Sequence, residues 1–172
     1  CRAGKSIPTL TLVQDDYFRY KEQIYALYAD YSREYSERFS MQLGLRMEHT
    51  RTTGISEAKD TEDKHDYTRL FPTVYLLYSP TDGHALNFSF SNRISRPSQN
   101  MVNPFPFYQN KYTYACGRED LKPSYTYNAE LGYTLKNNFN VSAYYSYSDD
   151  VFFQVVDLDA ETNVTSFLWE NF

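Results

Sequence analysis

The chain has 172 residues, 41% of them hydrophobic, and its 17 basic and 22 acidic residues leave a net charge of -5. That length suits a single domain with a sizeable core, and an acidic balance without a basic stripe argues against nucleic acid as the main partner. No run of about 18 apolar residues occurs, which excludes a transmembrane helix. It does not exclude membrane strands, whose alternation leaves the mean hydropathy polar.

The 18 Tyr and 12 Phe stand against a single Trp. Tyrosine is a strand former whose ring can lie against lipid while its hydroxyl reaches water, so it suits sheets and membrane interfaces alike.

Residues 1–13 show no alternation, and Pro8 interrupts them. No secretory leader is recognisable there, so any export signal is expected outside this sequence. Cys1 and Cys116 could pair in an oxidising compartment, but their separation makes free thiols the favoured reading, and Cys1 could also carry a lipid. A first strand is expected over about 16–32, where Tyr25, Leu27, Ala29 and Tyr31 oppose Ile24, Ala26, Tyr28 and Asp30. Polar residues 33–37 turn it into a second, over 38–51. There Phe39, Met41, Leu43, Leu45 and Met47 alternate without a fault against Ser40, Gln42, Gly44, Arg46 and Glu48. Strand side chains alternate with period two, so this is a strand with one apolar and one polar face.

Residues 52–66 carry Glu57, Asp60, Glu62, Asp63 and Asp66 and read as a long solvated loop rather than a cation site. A third strand follows over 67–78; both of its faces are apolar enough that alternation cannot orient it. Its Pro72 removes a ladder donor, which points to an edge, a bulge or a bend. Ser79-Pro-Thr-Asp-Gly83 is a tight turn. The fourth strand, 84–94, sets Leu86, Phe88 and Phe90 against Asn87, Ser89, Ser91 and Arg93. From 95 to 123 the pattern stops in a segment holding four prolines, and loops of that length are usually functional or disordered. Alternation resumes over 124–135 and 139–157, the latter one long strand bulged near 148–150, and a seventh strand begins at 164–172.

The fold class is therefore all-β, an antiparallel meander of about seven long strands forming part of a larger transmembrane β-barrel. Connections alternate between short and long, as they do in outer-membrane barrels. The apolar run from Phe39 to Met47 covers roughly 26 Å along the strand and about 19 Å once tilted, close to the ~25 Å apolar band of such barrels. A soluble sheet could carry the same alternation inverted. Strand runs of 12 to 19 residues, well beyond the usual five or six, favour the membrane.

The polar residues Arg46, Glu48, Asn87, Arg93, Asn128 and Glu130 are the candidate lumen lining. Arg46 with Glu48, or paired carboxylates with Glu130, could serve a hydrolase, but a lumen rich in hydrogen-bonding groups needs the same residues. His49, His65 and His84 stand apart with no ligand spacing, so no metal and no cofactor is expected. No nucleophile elbow, phosphate loop or cysteine cluster supports catalysis. Phe105, Phe107, Tyr108, Tyr112 and Tyr114 are the candidate ligand-binding residues, since flat rings suit apolar or sugar contacts. The competing reading has them packing the loop onto the barrel mouth.

Gly44-Leu-Arg-Met-Glu48, Leu70-Phe-Pro-Thr73, Ser95-Arg-Pro97, Asn103-Pro-Phe105 and Leu121-Lys-Pro123 follow one another in this order. The order and spacing, across residues 17–147, resemble the C-terminal barrel part of TonB-dependent receptors of the outer-membrane β-barrel family. Gly117-Arg-Glu-Asp120 departs from the Gly-Asn-Pro common in that family before the last landmark. The resemblance implies residence in the Gram-negative outer membrane and nutrient import through a barrel. It also implies outer-membrane lipid around the strands, further strands and a plug in the full-length receptor, and a TonB-type energy-coupling complex acting through that plug. The ligand would be a small molecule or glycan. No plug is recognisable in the chain, so it is expected to be a piece of such a receptor. The alternative is a soluble extracytoplasmic β-sheet module that binds a ligand or glycan.

Overall fold

The computed structural model describes residues 18–56, 61–136, 138–160 and 162–172. Residue 1, and with it any Cys1–Cys116 pairing, lies outside them, as do 16 and 17 at the start of the expected first strand. Among the described residues the chain forms ten strands and one single-turn helix. These are β1 (Phe18–Ser36), β2 (Phe39–Ser56), β3 (Thr61–Tyr78), β4 (His84–Ser95), α1 (Gln99–Val102), β5 (Phe107–Asn110), β6 (Thr113–Cys116), β7 (Ser124–Leu135), β8 (Phe139–Asp149), β9 (Phe152–Asp159) and β10 (Val164–Asn171).

Two sheets result. The larger runs β1-β2-β3-β4-β7-β8, every neighbour antiparallel. The smaller runs β5-β6-β10-β9, with β10 parallel to β6 and antiparallel to β9. The larger sheet is open, since among the described residues β1 and β8 each pair along one side only.

Three sequence expectations need correction. Residues 52–56 and 61–66 are not loop: β2 and β3 stay in register through Arg51↔Asp66 and Thr53↔Lys64 to Ser56↔Thr61. Alternation fades there because polar groups occupy both faces, while the backbone ladder is indifferent to which face is wet. The 139–157 strand is two, broken at Asp150, whose φ of 52° lies in the left-handed region and turns β9 away into the smaller sheet. The 95–123 segment is not patternless, because α1 and the β5–β6 hairpin fold within it. Elements of four residues are too short to show a period.

The ladders also orient β3. Pairs Met47↔Leu70, Leu45↔Pro72, Leu43↔Val74, Met41↔Leu76 and Phe39↔Tyr78 put these side chains on the apolar face, and Arg46↔Phe71 puts Phe71 on the polar one. Pro72 marks where the third ladder ends. β3 pairs with β2 along its whole length but with β4 only from Thr73↔Ser91 to Tyr78↔Leu86. Because the β2 ladder runs through Pro72 unbroken, the amide hydrogen that proline lacks falls on the β4 side.

Little of the larger sheet is interior. Leu27 (64% exposed), Leu70 (54%) and Leu131 (53%) stand uncovered on its apolar face. Of the five buried hydrophobic side chains among the described residues, Phe71 belongs to the sheet, whereas Val102, Tyr114, Cys116 and Leu121 belong to the long connection between β4 and β7. That connection has a core of its own.

Candidate functional site

The polar face of the sheet is read directly from the register. Tyr28–Arg46–Phe71, Ala26–Glu48–Arg69, Ile24–Thr50–Tyr67 and Glu22–Thr52–His65 form successive rows across β1, β2 and β3. Within them Arg46 Nε lies 3.3 Å from Glu48 Oε1, and the Arg46 guanidinium sits over the Phe71 ring, 4.8 Å from its centroid.

Arg96, the first residue after β4, reaches across to the same rows. Its Nη2 donates to Glu48 Oε2 at 2.6 Å and to Thr50 Oγ1 at 3.1 Å. Its Nε lies 3.4 Å from Glu22 Oε1, near enough for charge pairing but too misaligned to donate a hydrogen bond. Glu48 is thus buried between two guanidinium groups, which give this carboxylate the ion pairing and hydrogen bonding that burial demands. Burial opposes the charge on Arg96, but its hydrogen bonds and charge contacts to Glu48 and Tyr67 outweigh that and raise its pKa.

Above these rows lies a cavity of about 260 Å³. Tyr20, Glu22, Tyr67 and Arg69 form its floor, and Arg96, Pro97, Val102, Leu121, Lys122 and Tyr125 from the β4–β7 connection and its flanks close over it. Arg69 lies 5.0 Å over the Tyr125 ring, a cation–π contact across the cavity.

The connection is held at both ends. Gly117 N donates to Asn103 O and Arg118 N to Met101 O, each at 2.8 Å. A Cβ at Gly117 would overlap both of those carbonyl oxygens, so only glycine permits this approach. At the far end Asn171 of β10 accepts from Lys122 N at 3.0 Å and donates to Lys122 O at 3.1 Å and to Asp150 O at 2.8 Å. Arg118 donates to both carboxylate oxygens of Asp120, and this contact holds the Asp120 carboxyl below the usual carboxylate range.

The other lumen candidates lie along the same polar face. Asn128 Oδ1 accepts from the Tyr144 hydroxyl at 2.5 Å and from Ser146 Oγ at 2.8 Å, and Glu130 pairs with Ser89 and Tyr144 in register. Asn87 lies flat over Gly132, where a Cβ would overlap its side-chain amide. Arg93 is exposed at the end of β4, opposite Thr126. The aromatic group divides. Tyr114 is buried and packs its ring 5.6 Å from that of Tyr108, and Phe105 is half-buried. Phe107, Tyr108 and Tyr112 are exposed, Phe107 by 70%. Arg96, Tyr20, Tyr67 and Tyr125 were not among the candidates from sequence. Arg96 had one signal, an arginine just before a proline where a strand ends.

The chain is similar to the siderophore receptor PirA from Pseudomonas aeruginosa, with 12% identity, a TM-score of 0.53, and coverage of 89% of this chain and 37% of that one. It is also similar to the siderophore receptor PirA from Acinetobacter baumannii, with 12% identity, a TM-score of 0.45, and coverage of 90% and 33%. At such identity the first likeness shows the fold, and this chain spans little more than a third of that receptor's length. No curated protein matches the sequence. A model of the outer membrane protein beta-barrel family matches residues 5–172, nearly the whole chain: the chain belongs to that family and resides in the outer membrane.

Proposed function

We propose that the chain is part of the barrel wall of a TonB-dependent receptor that imports a small molecule or glycan without chemically changing it. The observation that carries this reading is the rows of Arg46, Glu48, Thr50 and Thr52, which put charge and hydroxyls on one face of a membrane sheet, beneath a cavity. A polar face inside a lipid-embedded sheet is useful when it lines a lumen. Arg46, Glu48, Asn87, Arg93, Asn128 and Glu130 line that lumen in this reading. The remaining strands and the plug come from elsewhere in the full-length receptor, and the plug receives the energy-coupling complex.

Short turns at 37–38 and 79–83 face the periplasm and the β4–β7 connection faces outward, following the usual barrel asymmetry. Phe107, Tyr108 and Tyr112 then present rings to incoming ligand, while Phe105 and Tyr114 hold the loop that carries them. Replacing Phe107 and Tyr108 together with alanine in the full-length receptor should lower uptake at subsaturating ligand by about tenfold, the loss typical of two contact aromatics. Unchanged uptake at normal surface abundance removes the ligand role. Sidedness is read separately: Gln109→Cys, on exposed β5, should react with an impermeant maleimide on intact cells.

A further inference from the structure

We infer that the outer edge of β3 takes an extended peptide as an added strand, which makes the ligand of this receptor an oligopeptide. The inference rests on the import reading above and narrows its ligand class. β3 and β4 are interior neighbours in the larger sheet, yet their ladder stops at Thr73↔Ser91 while β3 runs on beside β2 to Thr61. Beyond that last rung β3 has an edge with no strand against it among the described residues.

Which backbone groups lie on that edge follows from the register. Ser79 N donates to Arg38 O at 2.7 Å, in line with the β2–β3 ladder, so odd-numbered residues of β3 turn their N–H and C=O toward β2. Even-numbered residues turn theirs the other way. Leu70, Thr68 and Asp66 thus each present a donor and an acceptor to the uncovered side, about 7 Å from one to the next. β4 does not cover them, because the chain leaves the wall after Ser95: Arg96 reaches across the polar face to Glu48 and Thr50, and Pro97 has no N–H to offer a ladder. Asn92 marks the foot of this seam, with its Oδ1 buried and without a donor among the described residues.

The occupant is defined by what a strand edge recognises. Such an edge pairs with another main chain, because an extended peptide repeats its own donor and acceptor on one side at every second residue, with the same spacing. A sugar ring carries hydroxyls without that repeat. The edge starts in the apolar row Leu27–Met47–Leu70 and continues through Tyr25–His49–Thr68 and Gln23–Arg51–Asp66, so in the orientation above it opens at the outer mouth. Tyr67 and Arg69, which alternate with these residues along β3, line the cavity, and a ligand there lies against the edge. Arg69 packs over the Tyr125 ring and is ion-paired with no carboxylate among the described residues, which leaves its guanidinium to the terminal carboxylate of the peptide.

The probe is penta-alanine with free termini, added to the full-length receptor in detergent, with amide hydrogen exchange over residues 66–70 read by mass spectrometry. Exchange there should be fast without peptide and slowed about tenfold when the peptide stands at about ten times its Kd. Penta-alanine methylated on its backbone nitrogens keeps the side chains but loses the N–H groups, and should give no protection. Thr68→Pro removes an N–H on the free side while the β2 ladder persists, as it does at Pro72, and should weaken peptide binding about tenfold. Thr68→Val keeps the N–H and should restore the binding that Thr68→Pro loses. If Thr68→Pro fails to assemble, Arg69→Gln gives the reading, since the free acid should lose about tenfold in affinity relative to the C-terminal amide. Slow exchange at 66–70 before peptide is added overturns the inference, because the receptor then covers this edge itself. So does exchange that peptide leaves unchanged, equal protection by the methylated probe, or undiminished binding in Thr68→Pro or Arg69→Gln. Uptake of radiolabelled penta-alanine by cells separates the two readings. Protection at the edge without uptake supports the edge site and removes import, whereas import of another solute with no protection at the edge overturns the peptide alone.

Discussion

Glu48 is 6% exposed and ion-paired on two sides, with Arg46 two residues away in sequence and with Arg96 on the connection after β4. Removing one partner of a buried ion pair typically costs about 3–5 kcal/mol, and here Arg46 remains, so Arg96→Ala should cost roughly 2–3 kcal/mol. The loss should appear locally, as faster amide exchange at Gly117 and Arg118 and easier proteolytic nicking of the connection, with the strands unchanged. Gly117→Ala acts on the same segment through backbone overlap with Met101 and Asn103, and should cost about 1–3 kcal/mol. Asp120 gives a pH signature. Its carboxyl is held below the usual range by Arg118, so their contact contributes fully above that range and is lost only as pH falls through the lowered value. A carboxyl NMR titration of Asp120 should show the low midpoint, and Arg118→Gln should return it to the ordinary one. At this scale the sequence was partly legible. Parity alone assigned Glu48 to the polar face, but nothing local could reveal that its partner stands on the far side of two further strands.

Strands were legible where their two faces meet different surroundings. β2, β4 and β7 alternate because one side is apolar and the other polar. The outer ends of β2 and β3 were misread because polar side chains line both faces there. β5 and β6 were missed because they are too short to repeat, and the β8–β9 break rests on one left-handed residue, Asp150. Pro72 was legible as a disturbance but not as what it does, which is to stop one of two ladders. Asn92, the residue after Ser91 of the final rung, is buried there with its side-chain Oδ1 unpaired among the described residues. Pro72→Val supplies the missing N–H and should let the β3–β4 ladder gain a rung. The gain is on the order of 1 kcal/mol, one net backbone hydrogen bond, with slow amide exchange at position 72 as the readout.

On the scale of the whole molecule, the larger sheet ends in β1 and β8, each carrying a row of backbone groups with no strand beside it among the described residues. Expressed alone, the chain should associate edge to edge or require detergent, because open edges recruit strands and the exposed apolar face avoids water. Sedimentation of a detergent-free monodisperse monomer would contradict this. The smaller sheet carries a different consequence. Its parallel pairing joins Thr113 of the connection to Thr165 of β10, about fifty residues later. Closing so long a loop is entropically slow, and β6 finds that partner only after β10 exists. The hairpin that carries Phe107 and Tyr108 is therefore expected to dock late in folding, because the strand that completes its sheet stands about fifty residues away along the chain.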